Sequence, residues 1–427
     1  MQEDFLHYIW RFKKFDFGNA KTVSNLPVTI ISTGTPNLNS GPDFFNAKMD
    51  IGGQLWAGNV EIHLKSSDWY LHNHETDSNY DNVILHVVWK DDVEIFRKDN
   101  SPIPTLELQD LIPENTLQNY RNLLIAPNDK WINCERDFQK FEDFEMNNWL
   151  ERMYFERLQD KSEIILELLR NSGNNWEEVL FKLLAKNFGL NVNGGAFLKM
   201  AQSIDFKIIQ KNQNSQLALE ALFLGQSGLL ENRIEDTQYS KFKKEYEFLK
   251  HKFSLENEYV ERAKFFRLRP DNFPNIRLSQ LAGLYHKVPH LFSMIIAAKD
   301  KSQLYEIFEV EASDYWKTHY SFDKPHPSKR KFLTKNFKDL LIINTLIPLK
   351  FCYSKKIGVG DNEDILKLME EIISEKNGIT TKFNKLRENT SINALQSQAL
   401  LHLKSQYCDK NLCLDCNLGI KLIQGFR

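Results

Sequence analysis

Between Gly41 and His86 the chain concentrates side chains that bind metal ions and move protons. Asp43, Glu61, His63 and Lys65 come first, followed by His72, His74, Asp77 and His86. Four of the eleven histidines fall in the 24 residues from His63 to His86, where an even spread would place fewer than one. Two convergent carboxylates form an oxygen site suited to Mg²⁺ or Mn²⁺, ions that hold a phosphate and lower the pKa of an attacking water. A neighbouring lysine or histidine can stabilise developing charge or accept a proton. Imidazoles at close spacing suit zinc instead. The candidate catalytic residues are therefore Asp43, Glu61, His63 and Lys65. The candidate metal donors are Asp43, Glu61, His72, His74 and His86.

These residues need a sheet to position them. In an extended segment ending at Lys65, Val60, Ile62 and Leu64 face one way, and Glu61, His63 and Lys65 the other. An ordinary half-buried strand alternates in the same way, so the triplet gains meaning from its surroundings. Phe44 to Ile51 and Leu55 to Leu64 flank Gly52-Gly53, a strong hairpin signal that brings Asp43 toward Glu61. Val83 to Trp89 is a nearly unbroken apolar run, as in a central strand covered on both faces, and His86 within it needs a polar partner. Val28 to Ser32 reads as a further strand, and Phe5, Leu6, Ile9 and Trp10 as an opening helix. Ser66-Ser67-Asp68-Trp69 reads as a capped helix start, with Trp69 packed beneath the loop. Were a nucleic acid to bind, Trp56, Trp69 and Tyr80 would offer stacking surfaces, although aromatics in such positions are more often core.

Pro42-Asp43 followed by Glu61-Ile62-His63-Leu64-Lys65 resembles, in part, the motif of the PD-(D/E)xK nuclease superfamily, with Asp at a strand start and Glu-x-Lys on the next strand. The resemblance implies metal-dependent phosphodiester cleavage. It departs from the motif where His63 stands two residues after Glu61 and Lys65 two residues later still, so either His63 replaces the lysine or Lys65 reaches in from one strand step away.

The 427 residues suffice for two or three cores, and 42% hydrophobic with 26% charged residues is an ordinary globular composition. The 55 basic and 57 acidic residues nearly cancel, which removes the strongly basic signature of many nucleic-acid binders while permitting a local basic groove. Acidic Glu3 and Asp4 near the N-terminus, and the lack of any long apolar run, lead to the expectation of a cytoplasmic protein with no membrane segment. From about residue 140 the pattern turns helical, as in Trp176, Val179, Leu180, Leu183 and Leu184 after Asn174 and Asn175. The expected fold class is α+β: a mixed α/β domain with a small sheet over 1–135 and a mainly helical region over 136–427. Ile112 to Arg136 would carry the linker.

Cys408-x4-Cys413-x2-Cys416 places three thiols on a short segment. With Cys352 or Cys134 as a fourth ligand they would hold zinc or an iron–sulfur cluster. Arg267, Arg269 and Arg277 gather around prolines and would suit a phosphate or carboxylate. Phe223 to Gly228 lacks the spacing and lysine of a phosphate-binding loop.

Taken whole, the chain resembles the domain of unknown function family numbered 2851, of Bacteroidetes-type bacteria. The resemblance is carried by Gly41-Pro42-Asp43-Phe44, Trp56-x-Gly58-x-Val60-Glu61-Ile62-His63, Ser67-Asp68-Trp69-x-x-His72-x-His74, Tyr80 to His86, Arg267-x-Arg269-Pro270 and the three terminal cysteines. It implies no activity. Three functions are weighed on chemistry alone: a metal-dependent nuclease-like phosphodiester hydrolase, a non-catalytic nucleic-acid or protein interaction module with a structural metal site, and a zinc hydrolase using the cluster from His63 to His86.

Overall fold

A computed structural model describes residues 1–37, 39–125, 130–359 and 362–426. The chain forms two units. The first comprises Met1–Trp149, Lys382–Glu388 and Leu401–Arg427; the second comprises Leu150–Thr381 and Asn389–Leu400. The fold class is α+β, with one mixed sheet in the N-terminal part and, thereafter, helices and one short antiparallel strand pair, His319–Ser321 with Lys324–Pro325.

In the first unit helix α1 (Glu3–Arg11) precedes strands β1 (Val28–Ser32), β2 (Thr35–Pro36), β3 (Phe44–Ile51), β4 (Gln54–Lys65), β5 (Val83–Lys90) and β6 (Thr105–Glu107). The order across the sheet is β1-β3-β4-β5-β6, with β2 on β3. β1, β3 and β4 are antiparallel neighbours, and Gly52-Gly53 turns β3 into β4 as expected. β4 to β5 and β5 to β6 are parallel, so β5 lies between two strands and buries its first six residues. That accounts for its continuous apolar run.

One face of the sheet carries Val60, Ile62 and Val87 into the main core, with Phe5, Leu6, Ile9 and Trp10 of α1. A smaller apolar cluster, Trp69, Tyr80, Val83, Ile95 and Ile103, lies beneath the crossover from β4 to β5. The crossover contains the single turn α2 (Asp68–Leu71). Ser67 stands at its N-cap, but neither it nor Asp68 supplies the side-chain cap that the sequence suggests for Ser or Asp. Ser66 and Ser67 instead donate their hydroxyls to Asp92 at 3.0 and 2.9 Å, tying the crossover to the segment after β5, while Asp68 accepts the Lys65 amide at 2.9 Å.

The expected linker contains a short helix, α3 (Glu114–Tyr120), and its residues 126–129 lie outside the described ones. The boundary read at 135/136 falls inside the first unit. The terminal helix α4 (Asn417–Gln424) belongs to this unit too, not to the helical region it follows in sequence. It packs on α3, places Ile423 in the main core and accepts Asn119 Nδ2 on the Ile423 carbonyl at 3.2 Å. A change of hydrophobic period marks where helices begin but carries no information about a distant segment that returns.

In the second unit the expected helix runs Trp176–Phe188, capped by Asn175, whose side chain accepts the Glu178 amide. Helices Gln216–Gln226 and Pro274–Lys287 pack together, buried over most of their lengths. Arg277 is buried, stacks on Phe337 at 3.6 Å and donates to Gln280 at 2.8 Å, whereas Arg267 and Arg269 are not buried. No helix among the described residues is long and apolar enough to cross a membrane.

Gly58 lets β4 approach the start of β5. A Cβ there would stand 2.4 Å from Ile84 Cγ2 and 2.6 Å from the Asn82 carbonyl oxygen, and the latter is backbone that cannot swing aside. Gly58→Ala is expected to destabilise the sheet by about 1–3 kcal/mol through overpacking. Urea denaturation measures the loss, and an unchanged midpoint would contradict the close approach.

Candidate metal centre

The parallel pairing of β4 with β5 sets Glu61 opposite His86, and strand alternation puts Glu61 and His63 on one face. Glu61, His63 and His86 are 5%, 2% and 0% exposed, so all three must find partners inside the protein. His63 Nδ1 lies 2.8 Å from His86 Nε2, and His63 Nε2 lies 3.1 Å from His72 Nδ1. Glu61 Oε1 lies 3.4 Å from His63 Nε2 and 3.3 Å from His74 Nε2. One ring nitrogen from each of His63, His72 and His74 lies within 4.8 Å of the other two.

The two carboxylates converge as the hairpin requires. Glu61 Oε2 accepts the Asp43 amide at 3.2 Å, and Asp43 Oδ2 accepts the Ile62 amide at 2.9 Å, so each side chain is anchored on the other's strand. His74 reaches the site from the crossover, stacked on Tyr80 with ring centroids 3.8 Å apart and edge-on to Trp69. Trp69 and Tyr80 are thus buried supports for histidines rather than platforms for bases, and Trp56 packs partly buried against the main core.

Two sequence candidates stand elsewhere. Lys65 is exposed at the end of β4, and no side-chain contact joins it to the cluster among the described residues. His63, two residues after Glu61, occupies the place that a Glu-x-Lys motif gives to lysine. His86 is not a direct donor beside His72 and His74; it stands behind His63 and fixes its ring. A tautomer leaving His63 Nε2 free for an ion places Nδ1–H on His86 Nε2, and His86 then carries its own proton on Nδ1. That Nδ1 is buried and has no hydrogen-bond partner among the described residues. Asp77 caps the following turn by accepting the Asn79 amide at 2.9 Å.

Sequence reasoning missed His7 and Glu3. Both lie on α1, away from its apolar stripe, and His7 Nε2 faces Asp43 Oδ2 at 3.3 Å. Nothing local marks them, because their role depends on where α1 docks against β4.

Burial dominates the electrostatics. It raises the Glu61 carboxyl to about 9, helped by the charge of Asp43. It lowers His63 to about 3, helped by His74 and His72, and holds His86 well below the ordinary imidazole value. His7 goes the other way. Burial disfavours its charge, but the adjacent Asp43, with Asp4 and Glu3, outweighs burial and raises it. The site thus combines neutral imidazoles, ready to ligate without losing a proton, with one histidine biased toward the cation.

His63 is therefore expected to stay neutral at about pH 5 in metal-free protein, where an ordinary imidazole of pKa ~6.5 is mostly charged, and His86 to titrate well below the ordinary value. Because the unfolded chain takes up these protons first, their contribution to stability is lost as pH falls below ~6.5 through the folded values. Side-chain ¹⁵N spectra across a pH titration check this; a midpoint near ~6.5 for either ring would contradict it.

No curated protein and no solved structure matches the chain. A family model described as "Protein of unknown function (DUF2851)" matches residues 3–378, which include every strand of the sheet and all of the histidine and carboxylate cluster. The chain therefore belongs to the DUF2851 family of proteins of unknown function.

Proposed function

We propose that this protein is a metal-dependent hydrolase of phosphodiesters whose centre is built by His63, His72, His74 and Glu61. The observation carrying this reading is the convergence of three imidazole nitrogens within 4.8 Å of one another, with Glu61 Oε1 at 3.4 and 3.3 Å from His63 and His74. For ligands about 2.0–2.1 Å from a tetrahedral ion, neighbouring donors stand about 3.3–3.4 Å apart, so these spacings fit one ion. The donor set shifts the choice of metal. Three imidazoles and one carboxylate favour zinc or a similar transition ion over Mg²⁺, which prefers oxygen ligands alone.

Bound there, such an ion supplies an activated water and polarises a phosphoryl oxygen. The protein residues have separable tasks. His86 holds the His63 ring so that Nε2 faces the centre. Glu61, whose carboxyl burial pushes up to about 9, would give up its proton on coordinating the ion. Asp43, just before the hairpin partner strand, anchors the Ile62 amide and favours the protonated form of His7; His7, half-buried at the rim, is the proton donor for the leaving oxygen. The phosphodiester class is supported by the placement of Asp43 before β3 and Glu61 on β4, the arrangement implied by the partial nuclease motif. An ester or amide substrate is the alternative if zinc-loaded protein leaves phosphodiesters intact.

Full-length protein, supplied in turn with Zn²⁺ and Mn²⁺, is expected to cleave bis(p-nitrophenyl) phosphate, DNA or RNA. Glu61→Ala abolishes turnover and weakens metal binding. His7→Gln lowers kcat by about 10²-fold or more while metal content is unchanged. Cleavage retained by Glu61→Ala would sink the assignment.

A further inference from the structure

Away from the histidine site, four of the five cysteines, Cys134, Cys408, Cys413 and Cys416, gather in the first unit, and none forms a disulfide. We propose that these four thiols ligate an iron–sulfur cluster. The inference is independent of the hydrolase reading.

The first observation is how the chain brings them together. Asn133 Nδ2 donates to Asn411 Oδ1 at 3.2 Å and to Cys413 Sγ at 3.4 Å, fastening the segment bearing Cys134 to the loop between Cys408 and Cys416. The loop is held in a fixed shape: the Leu412 amide donates to the Tyr407 carbonyl at 3.0 Å, and the Asn411 amide to Cys408 at 3.2 Å. Cys416 stands at the N-cap of α4. A Cβ on Gly419 would lie 2.1 Å from the Cys413 carbonyl oxygen, so only glycine at 419 lets the helix press against the loop this closely. The fifth cysteine, Cys352, lies in helix Ile347–Ile357 of the second unit, where its Sγ faces the Ser162 carbonyl at 3.8 Å. The remote fourth ligand is therefore Cys134.

The second observation is their chemistry. Cys416 is buried and Cys134, Cys408 and Cys413 are half-buried, close enough that charge on one disfavours charge on the next. Thiols crowded in this way become thiolates together only around a strong cationic centre. Groups that favour thiolate are already in place: the Leu418 and Gly419 amides beside Cys416, Asn133 at Cys413, and Lys404 near Cys408.

The third observation is the spacing. Cys408-x4-Cys413-x2-Cys416 with one thiol remote in sequence fits the C-x4-C-x2-C pattern by which cysteines ligate an iron–sulfur cluster.

The test uses full-length protein purified anaerobically and reconstituted with ferrous iron and sulfide. Iron and acid-labile sulfide are expected in equal amounts, about two or about four of each per chain, with Mössbauer parameters of tetrahedral sulfur-ligated iron. Cys134→Ser should lose the cluster and Cys352→Ser should keep it. Should Cys134→Ser fail to fold, the wild-type Mössbauer spectrum still decides. One tightly held zinc without sulfide, a disulfide among the four thiols in anaerobic protein, or full iron and sulfide in Cys134→Ser would each overturn the proposal.

Discussion

Three ionisable side chains, Glu61, His63 and His86, are buried side by side on two parallel strands, and this constrains the rest of the first unit. A buried polar group left without a partner costs roughly 1–3 kcal/mol, and a buried charge costs more. The sheet meets that cost locally. His63 uses both ring nitrogens, on His86 and His72; Glu61 takes the Asp43 amide on one oxygen and faces two imidazoles with the other. The remaining imbalance appears as displaced proton affinities, with Glu61 held as the acid and His63 and His86 held neutral. A divalent cation, if bound as proposed, would relieve this state, since it would accept imidazole lone pairs and favour the carboxylate.

Several structural details follow from keeping that cluster in place. The crossover after β4 must fold back to deliver His72 and His74, and its two serines on Asp92 fix the point of return. Trp69 and Tyr80 fill the space beneath it and orient His74. The reciprocal bonds between Asp43 and β4, and between Glu61 and the start of β3, lock the hairpin at the level of the site rather than only at its turn. α1 packs on β4 and contributes His7, whose protonated form Asp43 favours.

Much of this was legible in the sequence where the signal is local. Strict alternation put Glu61 and His63 on one face, the double glycine fixed the hairpin that brings Asp43 to Glu61, and the apolar run around His86 announced a central strand with one polar residue needing a partner. The density of histidines pointed to a nitrogen-rich centre. Lys65 misled because alternation assigns a face but not a position along the strand, and it lies beyond the buried stretch. His7 was invisible because a helix docked across the sheet is a tertiary fact. The same holds for α4, whose return to the first unit leaves no trace in hydrophobic period. Cys134 and Cys352 were both readable as partners for the three late cysteines, but only the fold places Cys134 in their unit and Cys352 in the other. The serines before α2 show two uses of one residue type: a hydroxyl that could cap a helix is taken instead by a nearby carboxylate.

The central claim is that His63, His72, His74 and Glu61 share one transition-metal ion, and anomalous diffraction from crystals of zinc-loaded protein tests it most directly. Data collected on either side of the zinc edge should give a peak bounded by the three imidazoles and Glu61, with donors at about 2.0–2.2 Å. Zinc-loaded crystals with His63 Nε2 still bonded to His72 and no anomalous density between them would contradict it.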